Sequence, residues 1–226
     1  MTIAPLRLAA TVVIVRDTPA STGFEILMVR RNDKVAFMAG AYVFPGGRVD
    51  DDDVARANGD PVLAYRLAAV REVQEEAGVI VDPSQLILIA HWVTPEIETR
   101  RFDTRFFLVR MPEGQHAQHD AGETTEHAWL SPRDAIDQCL RGEIMLPPPT
   151  WTTLKRMQRH QSAGDLFAWA RSVATIPRVQ PQFFKDDHQS MLTLPGDPTY
   201  PTIDGWEVPE DTRFVLKDGR WRPVQP

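Results

Sequence analysis

The sequence predicts a mixed α/β fold, a sheet of mixed strand direction covered by helices. Three observations carry that reading. Apolar stretches of strand length recur at 9–15, 24–29, 85–90 and 104–109. Segments with helix signals stand between and after them, the strongest at 60–78. The connections are both short and hairpin-like and long enough to cross over, which a mixed sheet with helical layers accommodates.

The first two stretches are rich in β-branched and large apolar residues, and the polar linker 17–23 carries Gly and Pro, so they read as an antiparallel pair. Arg30, Arg31 and Lys34 follow, three cations that are either a solvated loop or a clamp for phosphate oxygens. Residues 41–44 form a short strand leading to Pro45-Gly46-Gly47, where two glycines permit close approach of the backbone. The Asp-rich insert 50–60 reads as a surface loop; its four consecutive aspartates lack the alternation and closing Glu of an EF-hand.

The helix at 60–78 has Asp60 to cap it, Pro61 in its first turn and Gly78 just past its end. Leu63, Leu67, Val70, Val73 and Ala77 fall on one apolar stripe. Glu72, Glu75 and Glu76 fall opposite. Acids in a last turn oppose the helix dipole by roughly 0.3 to 1 kcal/mol each. Glu72 and Glu76 also repel at i,i+4, and Arg71 can pair with Glu75 but cannot neutralise three anions. The bland alternative is a solvated glutamate face; the sharper one is a site for a divalent cation, since Mg²⁺ prefers oxygen ligands and takes one or two carboxylates plus water and phosphate.

Beyond this helix, the segment 92–102 mixes Trp, Phe, Arg and Glu, a composition suited to the wall of a nucleotide-like ligand. Trp92 is the candidate stacking face, with core packing as its competing role, and Arg31, Arg48, Arg101 and Arg105 are the candidate guanidinium groups for a diphosphate. His116, His119 and His127 lack helical zinc spacing. Residues 127–130 read as a strand, and Ser131-Pro132-Arg133-Asp134 opens a helix containing Cys139, a core thiol. Further helices are expected at about 150–160 and 164–173. From Pro181 onward seven of the 19 prolines fall in 46 residues, predicting an irregular extension. Its aromatics argue against disorder and for packing on the main domain or a partner subunit. The expected organisation is one domain over 1–175, with its insert at about 50–60, and an extension over 176–226.

Phe44-Pro45-Gly46-Gly47 followed by Arg71-Glu72-Val73-Gln74-Glu75-Glu76-Ala77-Gly78-Val79 resembles the Nudix hydrolase signature, Gly-x5-Glu-x7-Arg-Glu-(apolar)-x-Glu-Glu-x-Gly-(apolar). The right half matches throughout. In the left half Gly47 to Arg71 spans 24 positions where the pattern has 14, so Leu63 stands eight before Arg71 and Asp53 six after Gly47. Whether an aspartate among 50–53 replaces the missing glutamate is open. The resemblance implies a Nudix α/β/α sandwich with a mixed sheet. It further implies Glu72, Glu75 and Glu76 with the main-chain oxygen of Gly47 as metal ligands, Arg71 holding Glu75, and Mg²⁺ (or Mn²⁺) as cofactor. Glu123, in a later loop, is the position chosen for an added acid or base.

The stretch 27–47 is also similar to the motif of coenzyme A diphosphatases, matching at Leu27, Arg31, Gly40, Phe44, Pro45, Gly46 and Gly47 and failing at Val29, Asn32 and Ala36. The lengthened box resembles the acyl-coenzyme A branch. The expected activity is Mg-dependent hydrolysis of a nucleoside diphosphate linked to another moiety, coenzyme A or acyl-coenzyme A first. An ADP-ribose or NADH pyrophosphatase is the alternative, and a non-catalytic sensor the third reading.

A net charge of −6 argues against broad binding to nucleic acid or anionic membranes, and no run of 18 apolar residues or signal-like start is present. The cytoplasm is the expected compartment, and one cysteine excludes an internal disulfide. A homodimer is an open expectation for the aromatic extension.

Overall fold

The computed structural model describes residues 3–18, 23–32, 39–118, 124–185 and 189–226. Strand β1 (Leu6–Asp17) runs through the middle of the main sheet. It pairs antiparallel with β2 (Phe24–Arg31), as its polar linker predicts, and parallel with β6 (Arg101–Arg110). Outward from β2 lies β3 (Tyr42–Val43), and outward from β6 lie β5 (Ile87–Val93) and β8 (Arg178–Val179), giving the order β3-β2-β1-β6-β5-β8. In addition β4 (Gly46–Arg48) pairs with β1, and β7 (Thr124–Leu130) with β2.

Alternation along β1 sets the layers. Val12 and Ile14 face α2 (Pro61–Ala77), where Tyr65, Ala68, Ala69, Val73 and Ala77 pack on them with Phe107 and Val109. Val13 and Val15 face the other way, toward a larger core shared with α3 (Pro132–Leu140), α4 (Pro148–Met157) and α5 (Ala163–Ser172). The sandwich is therefore helix, sheet, helices. Asp60 caps α2 by accepting from the amides of Val62 and Leu63, and Gly78 ends it in the left-handed region at φ 65°.

Two expectations change. The insert is not only a loop: Asp51–Arg56 forms a helical turn and a half, α1, with the Asp50 amide donating to Asp53 Oδ2 at 3.1 Å. Three aspartates in a first turn favour helix, because they face the positive end of its dipole. The extension is not irregular either. It lays β8 beside β5 and then forms a second, antiparallel sheet from β9 (Gln182–Lys185), β10 (Ser190–Thr193), β11 (Arg213–Lys217) and β12 (Arg220–Val224), in the order β12-β11-β10-β9. Leu192, Leu194, Trp206, Phe214 and Trp221 enter the larger core, with Trp206 edge-on to Trp92 at 5.8 Å. Burial of these side chains, each worth roughly 1.5 to 3 kcal/mol, outweighs the local preferences of scattered prolines.

Candidate active site

The carboxylate face of α2 meets β4. Register places Gly46 opposite Thr11 and Gly47 opposite Ala10, so a Cβ on Gly46 would lie 2.3 Å from the Ala10 carbonyl oxygen. The Gly46 amide donates to Glu76 Oε2 at 2.9 Å. Glu72 is pressed so closely on Gly47 that a Cβ there would stand 2.3 Å from its Oε1. The two glycines are thus required by backbone on one side and carboxylates on the other. The expected open glutamate face is corrected by this packing, since Glu76 is buried and Glu72 largely covered, while the Glu75 side chain remains 55% exposed.

Arg71 organises the acids. Its Nη1 donates to Glu72 Oε1 at 2.9 Å and Glu75 Oε2 at 3.0 Å, and its Nη2 donates to the Arg48 carbonyl at 2.8 Å and Asp53 Oδ2 at 3.0 Å. Burial opposes its charge, yet hydrogen bonds and charges from Asp53 and Glu72 hold its pKa above the ordinary arginine value. Asp53, 1% exposed and within α1, stands six residues after Gly47 and reaches Arg71.

This cluster lies on the wall of a cavity of about 920 Å³. The floor is the sheet face carrying Ala9, Thr11, Phe102, Thr104 and Phe106. Arg31, Arg48 and Trp92 line it, although Trp92 is 4% exposed and presents little more than an edge. Arg101 and Arg105 do not line it, and the strand explains why. Phe102, Thr104 and Phe106 face the cavity, so the odd positions face α2. Arg101 is buried, donating to the carbonyls of Thr94 and Ala4 and to Gln180, and Arg105 lies over the Tyr65 ring at 4.3 Å. Their expected role as diphosphate ligands is corrected accordingly. Glu123 lies outside the described residues.

Arg7 and Arg100 also line the cavity and were not singled out. Arg7 was legible in principle, because it shares the odd face of β1 with Ala9 and Thr11. Asp103 sits behind the sheet, accepting from Tyr65 (3.1 Å) and Arg178 (3.3 Å) and paired with His91 Nε2 (2.6 Å). Burial works against its charge, but these partners keep its pKa below the usual carboxylate value.

Among the described residues no three acidic, histidine or cysteine side chains form a ready-made metal cage. The donor set still fits a hard divalent cation, which needs one or two carboxylates and fills its other positions with water and substrate oxygens. Glu72 beside the Gly47 backbone, with Glu76 next to it, supplies such a set.

A mixed sheet between helices, with a glycine pair against an Arg-held carboxylate cluster at the end of one helix, is suited to holding a divalent cation against the oxygens of a phosphoanhydride. The family profile described as NUDIX domain matches residues 5–155, and the chain belongs to that family. Its members generally use divalent metals. The chain is 26% identical to human acyl-coenzyme A diphosphatase NUDT19, covering 80% of this chain and 74% of the relative. It is 27% identical to putative nudix hydrolase 7 of Caenorhabditis elegans, over 86% of this chain and 74% of that one. Among solved structures, a NUDIX hydrolase from Alicyclobacillus acidocaldarius superposes with TM-score 0.67 at 25% identity, covering 74% of this chain and 97% of its own. No helix among the described residues is long and apolar enough to cross a membrane.

Proposed function

We propose that the protein hydrolyses the phosphoric anhydride of coenzyme A or acyl-coenzyme A with Mg²⁺ as cofactor, Mn²⁺ being able to replace it. The observation that carries the reading is the joining, in one cavity, of the Gly47, Glu72, Glu75 and Glu76 cluster to cationic and apolar walls. The name of the human relative, acyl-coenzyme A diphosphatase, supports the substrate.

Glu72, Glu76 and the Gly47 carbonyl would hold the cation, with Glu75 as a further ligand or as the group that orients water. Bound there, a divalent cation supplies neutralisation of the phosphoryl oxygens and a more acidic water. Arg71 fixes Glu72 and Glu75 relative to each other, and Asp53 fixes Arg71. Glu75 is the most open of the three acids. It keeps Oε2 on Arg71 and can take a proton from the attacking water. The water oxygen bonds to phosphorus, the anhydride P–O bond breaks, and two phosphomonoesters leave, one of them a nucleotide. Arg31, Arg48, Arg7 and Arg100, which line the cavity, would meet phosphate oxygens.

The test is a side-by-side assay of coenzyme A, acyl-coenzyme A, ADP-ribose, NADH and nucleoside triphosphates, with Mg²⁺ and after chelation. Coenzyme A derivatives should lead. A preference for ADP-ribose would overturn the substrate, and no metal-dependent turnover of any of them would favour a ligand sensor.

A further inference from the structure

We infer that the C-terminal extension builds an apolar subsite in this cavity that binds the hydrocarbon chain of an acyl thioester, and thereby sets chain-length preference. The inference rests on the coenzyme A reading above and adds a residue assignment that the signature does not contain.

The extension contributes Pro181, Leu192 and Trp221 to the lining, all of them apolar. Pro147, Pro148 and Pro149, at the start of α4, extend the same surface. The acids and cations of the cavity come instead from β1, β2, β4, the start of α1, α2 and the loop before β6. Sheet order sets Pro181, just beyond β8, apart from the carboxylates. From β4, beside the carboxylates, the floor crosses β1, β6 and β5 to β8, whose next residues include Pro181. Four steps at about 4.8 Å make roughly 19 Å. A cavity of about 920 Å³ is near the upper end of ordinary ligand pockets, so it exceeds what a diphosphate alone requires.

The wall is also firm. Trp221 is 9% exposed and meets Phe183 edge-on at 6.5 Å, and Leu192 is 7% exposed, paired across the strands with Phe183 and Phe214. A chain laid against such side chains would gain about threefold to fourfold per buried methylene. An ionised or strongly hydrated arm would gain nothing there.

The full-length protein is assayed with coenzyme A and its butanoyl, octanoyl and dodecanoyl thioesters, as wild type, Leu192→Ala, Trp221→Ala and Trp221→Phe. The wild-type kcat/KM should rise at least tenfold from coenzyme A to octanoyl-coenzyme A. That ratio should fall at least fivefold in both alanine variants and largely recover in Trp221→Phe. Leu192→Ala keeps the test readable if Trp221→Ala fails to fold. An unchanged ratio in Leu192→Ala and in every folded Trp221 variant overturns the subsite. Binding of octanoyl-pantetheine, which has no diphosphate, separates the two readings. If it binds the wild type and Leu192→Ala weakens it, the subsite stands even where coenzyme A is not hydrolysed. If coenzyme A is hydrolysed and octanoyl-pantetheine does not bind, the subsite falls and the activity stands.

Discussion

Replacing Asp53 by Ala tests the construction of the site most directly, because this buried carboxylate reaches Glu72 and Glu75 only through Arg71. It accepts from Arg71 Nη2 at 3.0 Å, from Arg71 Nε at a weak 3.4 Å, and from the Asp50 amide at 3.1 Å. A hydrogen bond to a charged group contributes about 1.5 to 3 kcal/mol, and a capping contact about 0.5 to 2. Counting the 3.4 Å contact as nothing, the loss is about 3 kcal/mol. At about 2 to 4 °C per kcal/mol for a chain of this size, the midpoint should fall by about 6 to 12 °C. Arg71 would then keep Glu72, Glu75, the Arg48 carbonyl and a longer 3.5 Å contact to Asp50 but lose its buried anchor, and kcat should drop by about tenfold to a hundredfold, as when a metal ligand loses its supporting contact. Differential scanning fluorimetry and steady-state kinetics at saturating Mg²⁺ give both numbers. A melting point within 2 °C of wild type together with turnover within twofold would refute the reasoning.

Three more expectations follow from the same geometry. Glu76→Gln should lower kcat about a hundredfold while moving the melting point by less than about 3 °C, because the amide oxygen can still accept from Gly46; metal binding by calorimetry should weaken in parallel. Gly47→Ala drives its Cβ into the flexible Glu72 carboxylate and should abolish most activity at small cost in stability, whereas Gly46→Ala strikes the Ala10 backbone and should unfold the protein far more readily in urea. The Asp103 pKa is lowered in the folded state, so its contribution is present above the ordinary value of 3.8 and disappears as pH falls below it. Asp103→Asn should therefore be less stable than wild type at pH 7, with the difference shrinking in denaturant titrations toward pH 2.

Much of the site was readable because its physics is local. The α2 boundaries follow from Asp60, Pro61 and Gly78, and the crowding of Glu72, Glu75 and Glu76 is visible from spacing alone. What failed depended on which face of a strand carries the site. Arg101 and Arg105 have the right chemistry, but alternation with Phe102, Thr104 and Phe106 turns both off the cavity face, Arg105 onto Tyr65 and Arg101 onto Thr94, Ala4 and Gln180, and nothing in the isolated segment says where the cavity lies. The extension shows a different kind of miss. Asp218 and Gly219, both with positive φ, form the two-residue turn between β11 and β12, and an Asp-Gly pair between apolar runs is a strong hairpin signal. The proline count masked it. Likewise, α1 was hidden by reading four aspartates as loop chemistry, although acids at a helix start are favourable.

The last strand of the main sheet, β8, is also the last of that sheet's strands to be synthesised. Until it and the hairpins after it leave the ribosome, β5 presents an uncovered edge and the larger core lacks Trp206, Phe214 and Trp221. Helix α2 can fold early against β1, since the fully buried residues of the core they share end at Val109. A nascent chain would therefore own its chemistry before it owns a closed substrate chamber, and chaperone contact during that interval should concentrate on the β5 margin.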